Sequence, residues 1–336
     1  MAGPLPLRAA LKWGALVAAA NWPVVIVDFA IESLYKLALT VPVIGGALMV
    51  AAILGADLQT VVGEGLRPTA ELVIGSLATA PVALLAFLIA LSLVAFGGEI
   101  VMLVVKSGTL AVLVTGERRA IILQNAPLDL ERLREINAYS LATVYDACRR
   151  FARRSVTLSV WLGVAYFVVG GGYVAVISYG FDLAVRTTST GAWPILVIVS
   201  TTVAFVAITS VNLAYDLLRV IVVTDDCDLP EAVRRLRRFL SYEFRAVIGI
   251  FGIISGIFML AVVGSVLAAA GLALVAWVPY IGFIFVPLQM VAWIIRGLVF
   301  QYVGLAALSA YQTQYRRFAQ RDSSVRAIDP AATLPA

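Results

Sequence analysis

NLAYDLLRVIVVTDDCDLPEAVRRLRRFLSYEFR, residues 212–245, is the stretch whose reading decides the fold. It leaves an apolar segment, crosses the acidic turn Asp225-Asp226-Cys227-Asp228, and enters a short segment carrying Arg234, Arg235, Arg237 and Arg238. A further apolar segment begins at Ala246. Apolar span, acidic turn, basic amphipathic helix, apolar span is the order expected of two membrane helices joined on the cytoplasmic face, where basic residues collect. Asp228 is placed to cap the basic helix, Pro230 suits its first turn, and Glu231 follows Asp228 by three residues, as in a capping box.

Composition agrees with that reading. Of 336 residues, 62% are hydrophobic and 13% are charged, against about 25% charged in ordinary soluble domains. Polar residues are too few to cover a soluble surface, so lipid is the solvent that fits. Histidine is absent, which excludes His-based triads, HExxH metal sites, haem ligation through His and histidine proton shuttles. Cys148 and Cys227 imply no disulfide framework. No phosphate-binding loop, dinucleotide fingerprint or metal-ligand cluster is present, so no cofactor is expected and the chain does not read as an enzyme. The net charge is +5. Its arginines sit beside apolar spans, which points to membrane topology and away from nucleic acid.

Working outward, the expected fold class is an all-α polytopic bundle of about six spans with amphipathic helices at the cytoplasmic interface. Residues 1–12 read as a basic cytoplasmic start and 13–310 as a single transmembrane bundle domain. Residues 311–336 read as a basic, partly disordered cytoplasmic tail. Arg8 and Lys12 ahead of Trp13–Ala20 imitate a signal peptide, but the hydrophobicity continues past it, so a retained first helix is expected. The stretch 13–55 is read as one long crossing broken at 41–46, with two short spans as the alternative. Later spans are placed near 77–105, 155–181, 193–215, 246–270 and 285–310, with Gly170-Gly171-Gly172 as a packing or kink feature. Cytoplasmic loops fall at about 106–154 and 216–245. The first ends in an amphipathic helix over 129–151, capped by Asp129 and lying on the membrane surface or against the bundle. All but four of the 25 Lys and Arg residues then fall on one side, which orients both termini to the cytoplasm. LAVLVTGERR (110–119) weakly echoes LLRVIVVTDD (217–226), each at a cytoplasmic exit.

Ionisable groups within spans are the natural functional candidates, because each costs on the order of 2.5–3.5 kcal/mol to insert. Arg296 stands in the sixth span with Gln289 seven residues earlier. Glu99 stands beside Gly97-Gly98, a pair that lets another helix approach closely. Asn21, Asp28, Glu32 and Lys36 form a polar stripe, with Glu32 and Lys36 in the favoured order for an ion pair. Arg296, Glu99, Asp28, Glu32 and Gln289 therefore form either a buried polar pathway or a structural salt-bridge set. Arg219, Arg234, Arg235, Arg237 and Arg238 form the cytoplasmic hinge, which either pins topology or binds anionic lipid headgroups.

AYDLLRVIVVTDDCDLPEAVRRLRRFL, LVAFGGE in the second span and PLQMVAWIIRGLVFQYVGLAALSAYQ in the sixth resemble a family of bacterial six-helix integral membrane proteins. That family carries D-x-x-R-[IV]-x-V-x-x-[DE]-[DE] at a helix exit, then A-x-R-x-x-x-x-F, and a Gln followed by an Arg in its last helix. Asp216, Arg219, Asp225, Arg234, Phe239, Gln289 and Arg296 occupy the matching places. The layout also resembles the membrane domain attached to glycerophosphodiester phosphodiesterases, although no phosphodiesterase domain is present here. The resemblance implies an α-helical bundle of a bacterial inner membrane. On residues and resemblance together, the expected function is a non-enzymatic scaffold or lipid-handling protein, with membrane lipid and a possible envelope protein as partners. A small ion-coupled transporter or channel using Glu99, Asp28 and Arg296 is the alternative.

Overall fold

Seven helices account for almost all of the described chain, which covers residues 7–54, 81–122, 134–187, 192–276 and 282–328 of a computed structural model. They are α1 (Leu7–Ala20), α2 (Trp22–Leu54), α3 (Pro81–Ile122), α4 (Leu141–Thr187), α5 (Ala192–Asp225), α6 (Leu229–Ala276) and α7 (Gly282–Ile328). Among the described residues there is no strand. Five helices are long and apolar enough to cross a membrane, and the bent pair α1–α2 makes a sixth candidate. The chain is an all-α bundle of the membrane type.

The helices are longer than spans. The 47 residues of α4 rise about 70 Å, against a hydrocarbon core of about 30 Å. Segments expected to be loops are continuations of helix. Residues 106–122 complete α3 and 216–225 complete α5, while the basic helix expected after the acidic turn is present and is set off from the following span by a kink at Glu243. The amphipathic segment expected over 129–151 is no separate surface helix: residues 137–140 are non-helical, and 141–151 run without a break into the following span. Ser140 caps α4, its Oγ accepting from the Thr143 amide at 3.2 Å; Asp129 lies outside the described residues. Ile136, Val144 and Phe151 are buried in the bundle core.

The break in the first stretch falls at Asn21, where α1 and α2 are bent by 77°, and helix continues through Pro42 and the 41–46 segment. Pro23 supplies the cause, since its ring clashes with the carbonyl four residues back and it has no N–H to give. Asn21 secures the bend. Its Nδ2 donates to Val17 O at 2.9 Å and its Oδ1 accepts from the Ala138 amide at 2.8 Å. Asn21 is thus fully buried at a joint and does not continue the polar stripe of α2.

Contacts divide the chain into two compact units, Asp28–Val105 and the remainder. In the larger unit α7 is the central post, packed against α1, α6 and α5. Every residue from Leu305 to Tyr315 is buried, so the part of the expected tail from 311 to 318 packs into the bundle; 329–336, where disorder was expected, lie outside the described residues. Phe239 of α6 meets the edges and faces of Tyr315 and Phe318, with ring centroids 5.5 Å away in each case. At Gly14, α1 crosses α7 so closely that an added Cβ would stand 2.6 Å from Ala306 O. Buried residues of this unit concentrate where its charges are, while the far halves of α4, α5 and α6 expose Phe167, Phe205 and Leu267 in apolar runs. Such faces are what lipid covers.

Candidate functional site

At the basic end, three acids on three helices turn toward the post. Glu117 of α3, 2% exposed, accepts from Gln312 Nε2 and from Arg316 Nη1, the latter at 3.3 Å. Asp225, the last residue of α5, accepts from Tyr315 Oη and from Arg235. Glu243 of α6 accepts from Gln314 Nε2 at 3.1 Å and from Arg321. Gln312, Gln314 and Tyr315 each donate to an acid on a neighbouring helix, which offsets much of the cost of burying them, although Gln312 Oε1 is left without a partner among the described residues. None of these six had stood out as a site residue. For Gln312, Gln314 and Tyr315 the sequence signal is the persistence of polar side chains at close spacing beyond the last span, and Asp225 stands out only as part of the acidic turn.

The hinge adds a second layer. Asp226 adopts φ +52°, a left-handed conformation that Asp tolerates better than most residues and that ends a helix. Its carboxylate meets Arg150 and Arg154. The Arg150 hydrogen bond is the largest influence and, with further help from Arg154, holds it below the usual carboxylate range against the opposing effect of burial. Asp228 accepts from Arg154 Nε at 3.1 Å, and Glu231 pairs with Arg235 one turn on. The expected capping box does not form, because both acids are drawn to arginines.

The hinge arginines separate into two kinds. Arg219 is buried, within electrostatic reach of Asp216, and Arg235 is held by Asp225 and Glu231. These two are structural. Arg234, Arg237 and Arg238 are exposed, and among the described residues no acid pairs with them. Arg234 and Arg238 line a recess of about 370 Å³ that also takes in Tyr315, Phe318 and Asp322. Tyr242 and Phe244, 75% and 57% exposed, stand one to two turns along the same helix.

The mid-span candidates fall into separate sets. In the smaller unit Glu32 pairs with Lys36 at 2.8 Å, and Asp28 is buried. Glu99 lies within electrostatic reach of Tyr35, whose hydroxyl donates to Ala95 O at 3.2 Å. Gly98 admits that ring, since a Cβ there would lie 2.5 Å from Tyr35 Cδ2. In the larger unit Arg296 and Gln289 are both exposed and line one groove between α6 and α7. Among the described residues no group of three or more Cys, Asp and Glu could hold a metal ion.

No protein-family model, curated protein or solved structure matches this chain.

Proposed function

We propose that this chain is a non-enzymatic, multi-pass protein of a bacterial plasma membrane, with its basic end cytoplasmic, and that it handles anionic lipid there. The observation that carries the reading is the division of labour in the hinge. Two arginines are committed to the fold, while Arg234, Arg237 and Arg238 are left exposed without acid partners. The last of them precedes the uncharged stretch from Ala246 by eight residues, with the kink at Glu243 between. Exposed Tyr242 and Phe244 lie between, where aromatic rings settle at a membrane interface. That places free guanidinium groups at headgroup level beside a recess. The sequence resemblance to six-helix membrane proteins is in keeping with this reading.

The test is lipid retention. Protein reconstituted with mixed phosphatidylglycerol and phosphatidylcholine is expected to retain the anionic lipid preferentially. Each of Arg234→Gln, Arg237→Gln and Arg238→Gln should lower that preference by about fivefold, since a basic residue at an anionic surface contributes about 1 kcal/mol. Arg235→Gln should act on folded yield instead. A triple variant that folds and keeps the full preference would sink the reading.

A further inference from the structure

The groove between α6 and α7 has no part in the basic-end site. It encloses about 550 Å³, within the ordinary size of a ligand pocket. Small side chains on facing helices create it: Ala261, Ala268 and Ala292 leave space that Trp293 bounds but does not fill. Three polar residues line this largely apolar slot, Arg296 and Gln289 on α7 and Ser265 on α6.

The depth of Arg296 follows from the helix register. Phe300 stacks on Phe258 of α6 with centroids 5.6 Å apart and planes at 12°. Phe258 lies thirteen residues from Arg245, about 20 Å along the helix. Arg296 is one turn farther still from the basic end and is the sole charge between 282 and 315. In a core of about 30 Å it stands in the leaflet opposite the basic end. Its guanidinium is held over the Phe300 ring, 5.6 Å from the centroid. Among the described residues no acceptor meets its N–H groups, and none meets the Gln289 amide. A guanidinium resting on an aromatic ring keeps its in-plane donors for a second partner, and a phosphate or carboxylate matches that fork.

We infer that this groove seats one anionic phospholipid of the leaflet opposite the basic end, with its phosphate on Arg296, its polar backbone toward Gln289, and an acyl chain along Ala261, Ala268 and Ala292. Charge complementarity selects the occupant. A positively charged, unpaired group facing hydrocarbon is costly, and the anion that reaches it there arrives with a chain that suits the apolar slot. This site stands on residues separate from Arg234, Arg237 and Arg238, so either can fail alone.

The test is photolabelling of the full chain in phosphatidylcholine nanodiscs containing a minor fraction of diazirine-acyl phosphatidylglycerol. Diazirine-acyl phosphatidylcholine is the matched zwitterionic probe. The anionic probe is expected to label peptides spanning 257–270 and 289–300 about tenfold more than the zwitterionic one, as a charge-assisted hydrogen bond implies. Arg296→Gln should abolish that difference, and Arg296→Lys should keep part of it. Ala268→Trp, which fills the slot and spares the charge, should remove labelling by both probes at this site. Equal labelling of the unaltered protein by the two probes would overturn the inference, as would undiminished anionic labelling in Arg296→Gln. If Arg296→Gln is not recovered folded, the two probes on the unaltered protein and the Ala268→Trp variant decide.

Discussion

Single residues of the basic end differ sharply in what they are expected to be worth. Glu117 is almost wholly shut off from solvent and serves both Gln312 and Arg316. Removing it leaves a buried amide and a largely buried guanidinium without an acceptor, the situation in which breaking a pair costs about 3–5 kcal/mol. Glu117→Ala should therefore lower the unfolding temperature of the purified protein far more than Glu117→Gln, which keeps an acceptor oxygen. Equal losses would mean that the contact contributes packing alone. Asp226 is a contrasting case, 40% exposed at its side chain. Its carboxyl is held low by Arg150 and Arg154, so the folded protein binds a proton there less readily than the unfolded chain does. The stability this gives is complete above about pH 3.9, the unfolded value, and is lost as pH falls through the lower folded value. An exposed pair of this kind is worth no more than about 1 kcal/mol. Asp226→Asn should show that small deficit near neutral pH and none at the acid limit.

Among elements, the crossing of α1 and α7 is the tightest test of packing. At Gly14 a Cβ would meet Ala306 O and Ala310 N, both backbone atoms that cannot swing aside. Gly14→Leu should destabilise by about 1–3 kcal/mol or more, as overpacking does, whereas Gly171→Ala meets nothing within 4 Å. That second change is expected to be neutral or to gain up to about 1 kcal/mol from helix propensity; comparing the two unfolding temperatures checks both. The contrast shows how far sequence reading reaches. Gly98 could be picked out as a place of close approach because a Gly pair adjoins a charge in an apolar span. Gly14 carries no such mark, and Gly170-Gly171-Gly172, conspicuous in sequence, has no neighbour in contact. Class and spans are readable because stretches of some twenty apolar residues have few other uses. The length of each helix is not, because apolar content stops at the membrane while helix continues. Pairings such as Glu117 with Gln312, 195 residues apart, depend on the register of helices that no local pattern records. Which polar residues of the expected loops and tail are packed inside is not readable for the same reason: buried polar groups and solvated ones look alike until their partners are known.

At the scale of the whole molecule, charge and packing in the larger unit are gathered at one end. Basic residues cluster at helix exits, and the buried core lies with them, while the opposite halves of the helices leave their apolar faces to lipid. The orientation proposed above follows the positive-inside tendency, and on it that end faces the cytoplasm, where a packed layer outside the hydrocarbon region can rest on water-driven burial that lipid does not supply. Site-specific labelling tests this. In a background with Cys148 and Cys227 replaced by Ala, Arg237→Cys marks the basic end. Asp182→Cys marks the other end of α4, where the Asp182–Arg186 pair is exposed and of little energetic consequence. A membrane-impermeant maleimide applied to intact cells should modify Asp182→Cys at once and Arg237→Cys only after permeabilisation. The reverse pattern would invert the topology. It would exchange the leaflets of the two lipid sites, because Arg296 and the hinge arginines are tied to opposite ends of the same pair of helices.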